Sequence, residues 1–354
     1  MDDRPARHRL KIDTRGRTRT SRPGKTVDLK FLAELLGVSK GTVSRALNDY
    51  PEISEETRRR VKQAAEQHGY RPNRAARRLS TGRSDTIGFV PLQDAVPDFQ
   101  PAFLRGLTTT MTKAGGDLIL SPASDLQTAC SIIDRMVLDG RVDGLIIHDP
   151  LPDDPRLDYM QKRGLTYVTL GRTDFADPAP YVFIDDAVAT RSLIGALREL
   201  GHERFAFFAG HGDSFAVRQR CEGLRSACSA SGSAFEEAFL SGDKDAAAEQ
   251  FLKMTKATAV LCDCDLTALA LIAAAHRIGL RVPQDLTVIG HGNSSFAAHT
   301  LPGLSTIGWS DEQVGARLAR LLLDAVADPV AAPTRLRVPA EFIARGSHGP
   351  APRG

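Results

Sequence analysis

The stretch that most limits how this chain can fold runs from Asp28 to Thr81. Leu29, Leu32, Ala33 and Leu36 recur at i, i+3, i+4 and i+7, the spacing of a helix with one apolar face. Gly37 ends that helix and Val38 begins a tight turn. Ser39 then stands where an N-terminal cap is needed, and Val43, Ala46 and Leu47 give a second short helix its own apolar side. Lys40, Gly41, Ser44 and Arg45 fall on the opposite side. Lys and Arg suit guanine edges and phosphates, and small neighbours let a helix come close to them. A helix, a Gly-containing turn and a second helix is the arrangement that lays the second helix in a DNA groove. A third helix is expected beyond the loop Pro51-Glu52-Ile53, capped by Ser54, with Val61, Ala64, Ala65 and His68 facing inward and Gly69-Tyr70 closing it. The plainer alternative is a surface helical hairpin with a solvated charged face.

Arg71-Pro72-Asn73-Arg74-Ala75-Ala76-Arg77-Arg78-Leu79 raises the odds against that alternative. It offers a cap and one short basic turn-and-a-half, well under the ~12–15 residues an isolated helix needs in water. It can fold only against a partner. Basic residues around a lone Leu suit a wedge that enters a minor groove and partly unstacks a base step.

These residues resemble the lactose-repressor/galactose-repressor family of transcription regulators. The resemblance rests on Leu35-Leu36-Gly37-Val38-Ser39, Thr42-Val43-Ser44-Arg45-Ala46-Leu47-Asn48, Ile53-Ser54, Thr57-Arg58, Val61, Ala64, Gly69-Tyr70-Arg71-Pro72-Asn73, Ala76 and Leu79, at that family's spacing. More loosely it extends to about Ala344. It implies a DNA-binding role for Ser39, Lys40, Thr42, Ser44, Arg45, Asn48, Ser54, Thr57, Tyr70, Asn73, Ala76 and Leu79. Lys40 and Arg45 would read base edges, and Leu79 of each of two subunits would wedge into the centre of a pseudo-palindromic double-stranded DNA operator.

Charge is spread unevenly. The whole chain of 354 residues carries a net +3, but residues 1–83 hold 21 Lys and Arg against 10 Asp and Glu, which leaves −8 for the remainder. That asymmetry suits a basic arm for a polyanion and an acidic body that stays off it. Residues 1–25, with nine Lys and Arg and little apolar content, are expected to be a disordered basic tail. No apolar run approaches the ~18 residues of a membrane span, and the start lacks the apolar core of a signal peptide. Five irregularly spaced cysteines point to reduced thiols and a cytoplasmic setting.

Past Thr81-Gly82-Arg83 the pattern changes to short apolar runs alternating with amphipathic ones. Strands are expected at Ile87–Val90, Leu118–Leu120, Gly144–Ile147, Tyr167–Leu170, Phe205–Ala209, Ala259–Leu261 and Val288–Gly290. Helices are expected at Phe103–Ala114, Leu126–Leu138, Val188–Leu200, Val217–Ser229, Thr267–Ile278 and Val314–Ala327. Such alternation means an α/β body of doubly wound parallel sheets, with ligands beyond the carboxyl ends of the strands. The resemblance implies a periplasmic-binding-protein-like body of two subdomains behind an all-α helix-turn-helix domain. The expected layout is a tail at 1–25, the helix-turn-helix domain at 26–71, a hinge helix and linker at 72–83, an effector-binding and dimerisation domain at 84–346, and a tail at 347–354. Within the body, subdomain one takes about 84–185 plus 309–334, and subdomain two about 186–308 plus 335–346.

The resemblance also implies a small effector, a sugar or sugar derivative, held between the subdomains by Phe99, Arg172, Arg220, Cys264, Asn293 and Trp309. Arg220 is the leading contact, because a guanidinium fork suits hydroxyls and carboxylates alike. Several positions depart from the family's sugar-binding pattern: His291-Gly292-Asn293 where carboxylates are usual, Gly171 where some members have Asp, Cys264 for Asn, and Lys244 for an aromatic. Fewer acceptors and more cations shift the expectation toward an effector with a negative group; a neutral sugar stacked on Trp309 is the other reading. Cys262-Asp263-Cys264 lacks a second Cys/His pair at zinc-site spacing, so neither metal nor other cofactor is expected. His148-Asp149 and His211 follow strands and read as solvated loop residues, with no nucleophile–base–orienter set or phosphate-binding loop to mark an enzyme. The reading is a homodimeric, effector-controlled repressor of carbohydrate genes. A sugar-binding protein of the same body fold is the alternative, although it would lack Asp28–Leu79.

Overall fold

The computed structural model describes residues 27–70, 82–92, 101–151, 153–172, 179–210, 214–240, 244–329 and 332–353. The expected basic tail, most of the hinge segment including Asn73, Ala76 and Leu79, and the positions Phe99 and His211 lie outside the described residues. The chain divides into two compact units, which meet in sequence between Gly82 and Arg83.

Among its described residues the first unit has three helices, α1 (Leu29–Leu36), α2 (Lys40–Leu47) and α3 (Glu55–Gln67). Each start is capped by the side chain directly before it. Asp28 accepts from Phe31 N, Ser39 from Thr42 N and Ser54 from Thr57 N, which satisfies amides a helix start leaves without partners. Gly37 adopts φ +67° and so makes the turn between α1 and α2 that a side chain would strain. Leu32, Ala33, Val43, Ala46, Val61, Ala64 and Ala65 close the core. His68, expected on the inner face, is exposed. It follows the last turn of α3, and its ring meets Phe31 edge-on at 5.2 Å.

Among its described residues the second unit holds two six-stranded sheets. Its strands are β1 (Thr86–Phe89), β2 (Asp117–Leu120), β3 (Gly144–His148), β4 (Tyr167–Leu170), β5 (Tyr181–Asp185), β6 (Arg204–Ala209), β7 (Ala234–Phe239), β8 (Ala259–Cys262), β9 (Thr287–His291), β10 (Ser305–Gly308), β11 (Arg335–Pro339) and β12 (Glu341–Ile343). Its helices are α4 (Pro101–Lys113), α5 (Leu126–Leu138), α6 (Pro155–Lys162), α7 (Ala187–Glu199), α8 (Phe215–Ala230), α9 (Lys244–Met254), α10 (Asp265–Arg277) and α11 (Asp311–Ala327). Sheet one runs β11-β5-β4-β3-β1-β2 and is parallel throughout. Sheet two runs β12-β10-β9-β8-β6-β7, with only β12 antiparallel. Apolar cores cover both faces of each sheet, as parallel strands require.

The chain passes between the halves three times: between Asp185 and Ala187, between Gly308 and Asp311, and at Ala340 between β11 and β12. The expected boundary at 335 therefore falls one strand too early. Arg335–Pro339 pairs along β5 and belongs to half one. Nor is 347–354 a loose tail. Ser347 is fully buried, its hydroxyl donates to Val288 O (2.6 Å) and accepts from Ser305 N (2.8 Å), and His202 Nε2 lies 2.9 Å from Gly349 O. The segment plugs the bottom of half two.

In half one, α4 and α11 touch backbone to backbone. A Cβ on Gly106 would lie 2.1 Å from Glu312 O, and one on Gly315 would lie 2.2 Å from Phe103 O. Only glycine at both places allows this approach.

Candidate nucleic-acid interface and ligand cavity

On α2 the buried residues are Val43 and Ala46, which leaves Lys40, Gly41 and Arg45 exposed and Thr42 and Ser44 half-buried. Arg45 Nη2 lies over Gly41, 3.5 Å from where a Cβ would stand. The exposed face of α2 thus carries two cations with no bulk between them. Thr42 is tied to the cap through a 2.9 Å contact between its hydroxyl and that of Ser39. Asn48 ends the helix and donates to Ser44 O at 2.9 Å. Ser54 and Thr57 pair at the start of α3, and Tyr70 packs half-buried against the three-helix core.

One stabilising contact was not read from the sequence. Arg58 donates to Tyr50 O (3.0 Å) and Ile53 O (3.1 Å), and Lys62 donates to both oxygens of Asp49 (2.7 and 2.9 Å). Asp49 sits at φ +57°, so α3 holds the loop after α2 in a conformation most residues avoid. The sequence placed Arg58 in the family-like string Thr57-Arg58 but gave no sign of its bonds to the Tyr50 and Ile53 carbonyls.

In the second unit a cavity of about 210 Å³ opens at the carboxyl ends of the strands of both sheets. Half one contributes Phe103, His148, Asp149, Arg172, Phe183, Asp311 and Val314. Half two contributes Phe215, Gln219, Arg220, Asp263, Cys264, His291 and Ser294, while Asp186 and Trp309 come from the first and second crossings. Arg172, Arg220, Cys264 and Trp309 are thus brought together on one wall system. Asn293 is not among the lining residues. Arg345 donates to its Oδ1 at 2.6 Å and turns it toward the end of the chain.

Arg220 is held by Asp263 O at 2.7 Å and lies 3.9 Å from Asp186. The Asp186 carboxylate accepts from His291 Nε2 at 2.9 Å. Burial pushes Asp186 up, but the His291 hydrogen bond and the charge of Arg220 outweigh it and hold the carboxyl below its usual range. Burial holds His291 below the usual imidazole range, with Arg220 adding to the effect. Arg172 lies over the Phe183 ring, 5.6 Å from its centroid. Cys264 caps α10 by accepting from Thr267 N at 3.5 Å, so its sulfur serves a helix start. Burial raises Asp311 to about 6, opposed by a hydrogen bond with Trp309.

Two sequence expectations change here. His148 is no solvated loop residue: it lines the cavity, and burial lowers it to about 4. The expected shift toward positive charge is also absent among the described residues. Asp149, Asp186, Asp263 and Asp311 stand against Arg172 and Arg220. The sequence reading counted acceptors lost near His291, Gly171 and Cys264 and left out carboxylates that arrive from the neighbouring positions. The Lys244 side chain lies outside what is described.

Comparison with known proteins agrees with this geometry. Residues 28–73 match the bacterial regulatory proteins of the lacI family, and residues 194–348 match a periplasmic binding protein-like domain. The HTH-type transcriptional regulator AglR of Rhizobium meliloti (strain 1021) is 34% identical over 346 residues, 92% of this chain and 95% of that protein. CelR of Thermobifida fusca is 32% identical over 90% of this chain and 97% of its own length. The chain belongs to the LacI family. As a family member it is a helix-turn-helix, DNA-binding transcriptional regulator and not an enzyme. Its fold is close to that of the Lac repressor dimer bound to operator and the anti-inducer ONPF, with a TM-score of 0.76 at 25% identity over 91% of this chain and 99% of that one. A CelR–cellobiose complex aligns with a TM-score of 0.67 at 28% identity, covering 91% of this chain and 99% of that one. Among the described residues of this regulator, no helix is long and apolar enough to cross a membrane.

Proposed function

We propose that this regulator is a cytoplasmic homodimeric repressor of carbohydrate genes whose grip on a pseudo-palindromic operator is set by a neutral sugar bound between the halves of its body. The observation that carries the effector reading is the cavity wall: four carboxylates and two guanidinium groups around Phe103, Phe183, Phe215 and Trp309. Carboxylates accept from sugar hydroxyls, guanidinium groups donate to ring and hydroxyl oxygens, and aromatic faces pack on the apolar side of a pyranose. The surplus of carboxylates disfavours a phosphate or sugar acid. The structure of a CelR–cellobiose complex supports the same class of ligand for a relative of this fold.

On the DNA side, Lys40 and Arg45 are the base-reading residues of α2. Ser39, Thr42, Ser44, Asn48, Ser54, Thr57, Tyr70, Asn73 and Ala76 position the backbone. Leu79 is the minor-groove wedge of a hinge that folds on DNA and melts on release, an order–disorder switch. A sugar-binding protein acting without DNA is not favoured, because residues 28–73 match the DNA-binding family. The test is to select a duplex from a random library, then titrate the regulator against that duplex and a scrambled one at cellular ionic strength with and without neutral sugars. Tighter binding to the selected, two-fold symmetric sequence and a sugar-dependent change in it are expected. Equal binding to every duplex would end the DNA reading, and a response to sugar acids or phosphates alone would end the neutral-sugar reading.

A further inference from the structure

His291 sits where two of the three crossings meet the cavity. It ends β9, on sheet two, and is nearly fully buried. Its Nε2 lies 2.9 Å from the Asp186 carboxylate on the first crossing. A carboxylate only accepts, so Nε2 carries the proton of this bond. Its ring faces Trp309 on the second crossing, with centroids 5.0 Å apart and planes at 60°. Trp309 in turn packs against the apolar core of half one.

The arrangement has a local cost. Asp186 occupies the N-cap of α7, where an Asp side chain ordinarily binds the exposed amides, yet it makes no cap hydrogen bond. Its carboxylate is turned to His291 instead. The third crossing joins the same group through the backbone, since Ala340 N donates to Asp185 O at 3.2 Å. A rotation of one half against the other is absorbed at such crossings. It must therefore move Trp309 across the imidazole or break the bond to Asp186.

We propose that His291 is a positioning residue that couples ligand occupancy to the hinge, by tying the first and second crossings together at the cavity wall. This rests on the reading that a ligand in the cavity controls DNA binding. The ligand touches the cavity side of Trp309 and Arg220, and His291 passes the displacement to both crossings at once. Without the imidazole, the crossings respond separately and the halves no longer settle into two discrete arrangements.

Hydrogen exchange on the full-length protein tests this with no ligand present, using wild type, H291A and H291Q. In H291A, amides in 185–190 and 309–314 are expected to exchange roughly five- to tenfold faster, the effect of losing one buried hydrogen bond and its packing. Glutamine keeps an N–H donor toward Asp186 but has no ring for Trp309. In H291Q the first window should return toward wild type while the second stays fast. Unchanged exchange in both windows overturns the proposal, and so does an even rise across sheet two, which would mean the residue only stabilises its half. A second arm measures the selected operator with and without saturating cellobiose, melibiose or raffinose. Coupling of the usual size, about 5- to 150-fold, is expected in wild type and a ratio near one in H291A; an equal ratio in both overturns the proposal. If none of the three sugars changes operator binding by wild type, the neutral-sugar reading fails while the exchange arm still decides the role of His291.

Discussion

The second helix of the first unit, Lys40–Leu47, takes its shape from neighbours between Asp28 and Tyr70, whereas the cavity draws on residues as far apart as Phe103 and Val314. The first is a local construction: three side-chain caps, the positive-φ glycines Gly37 and Gly69, and a small apolar core. The second is a tertiary one, whose wall residues come from strand ends, from the crossings and from helices α4, α8 and α11. Local construction divides stability into small, separable contributions. Tertiary construction concentrates it where two elements can meet in only one way.

The sharpest way to break this contrast is at the α4–α11 contact. Gly106→Ala places a methyl group 2.1 Å from Glu312 O, and Gly315→Ala does the same against Phe103 O. Each is expected to cost about 3 kcal/mol or more, the upper end of overpacking, read as a fall in the thermal midpoint of the body. An unchanged midpoint would mean that the two helices separate without penalty.

Next comes the buried imidazole at the cavity. His148 is lowered from 6.5 to about 4 by burial. A depressed pKa means the folded form prefers the neutral ring, so its contribution is full above 6.5 and is lost as pH falls toward 4. That swing is on the order of 2–3 kcal/mol. Urea midpoints at pH 7.5 and 5 should differ less in His148→Gln than in wild type; equal differences would show that the ring titrates alike in both states.

Arg45→Ala tests the exposed face of α2. It should weaken binding to the selected operator by about 1–3 kcal/mol per lost base contact and leave the thermal midpoint unaltered. Equal losses on selected and scrambled duplexes would make Arg45 a phosphate contact only. The smallest effect belongs to a cap. Ser39→Ala removes the acceptor for Thr42 N and should cost about 1 kcal/mol, measured as helix signal lost on warming. A loss as large as that of Gly106→Ala would erase the distinction between local and tertiary construction.

The same contrast explains what could be read from the sequence. Leu126–Leu138 and Tyr167–Leu170 were expected with the bounds they have, because their apolar spacing is set within each segment. The strand Ser305–Gly308 was missed because Ser305, Thr306 and Gly308 look like a loop and are buried only through pairing with β9 and β12. Helix Pro155–Lys162 was missed because Arg156, fully buried against Asp154, interrupts its apolar face. At the cavity, Arg172, Arg220, Cys264 and Trp309 could be named in advance, whereas Asn293 faces Arg345, a partner 52 residues away. Asp186 marked only the beginning of subdomain two in the sequence. Its partner, His291, lies 105 positions later.

The plug at Ser347 and Gly349 also sets an order of assembly during translation. Domains fold as units in the direction of synthesis, so the three helices of the first unit can be complete while the residues that seal sheet two are still inside the ribosome. Sheet two has no such independence: the starts of β9 and β10 lack their hydroxyl partner until Ser347 has emerged, so this half closes after the helical unit has already settled.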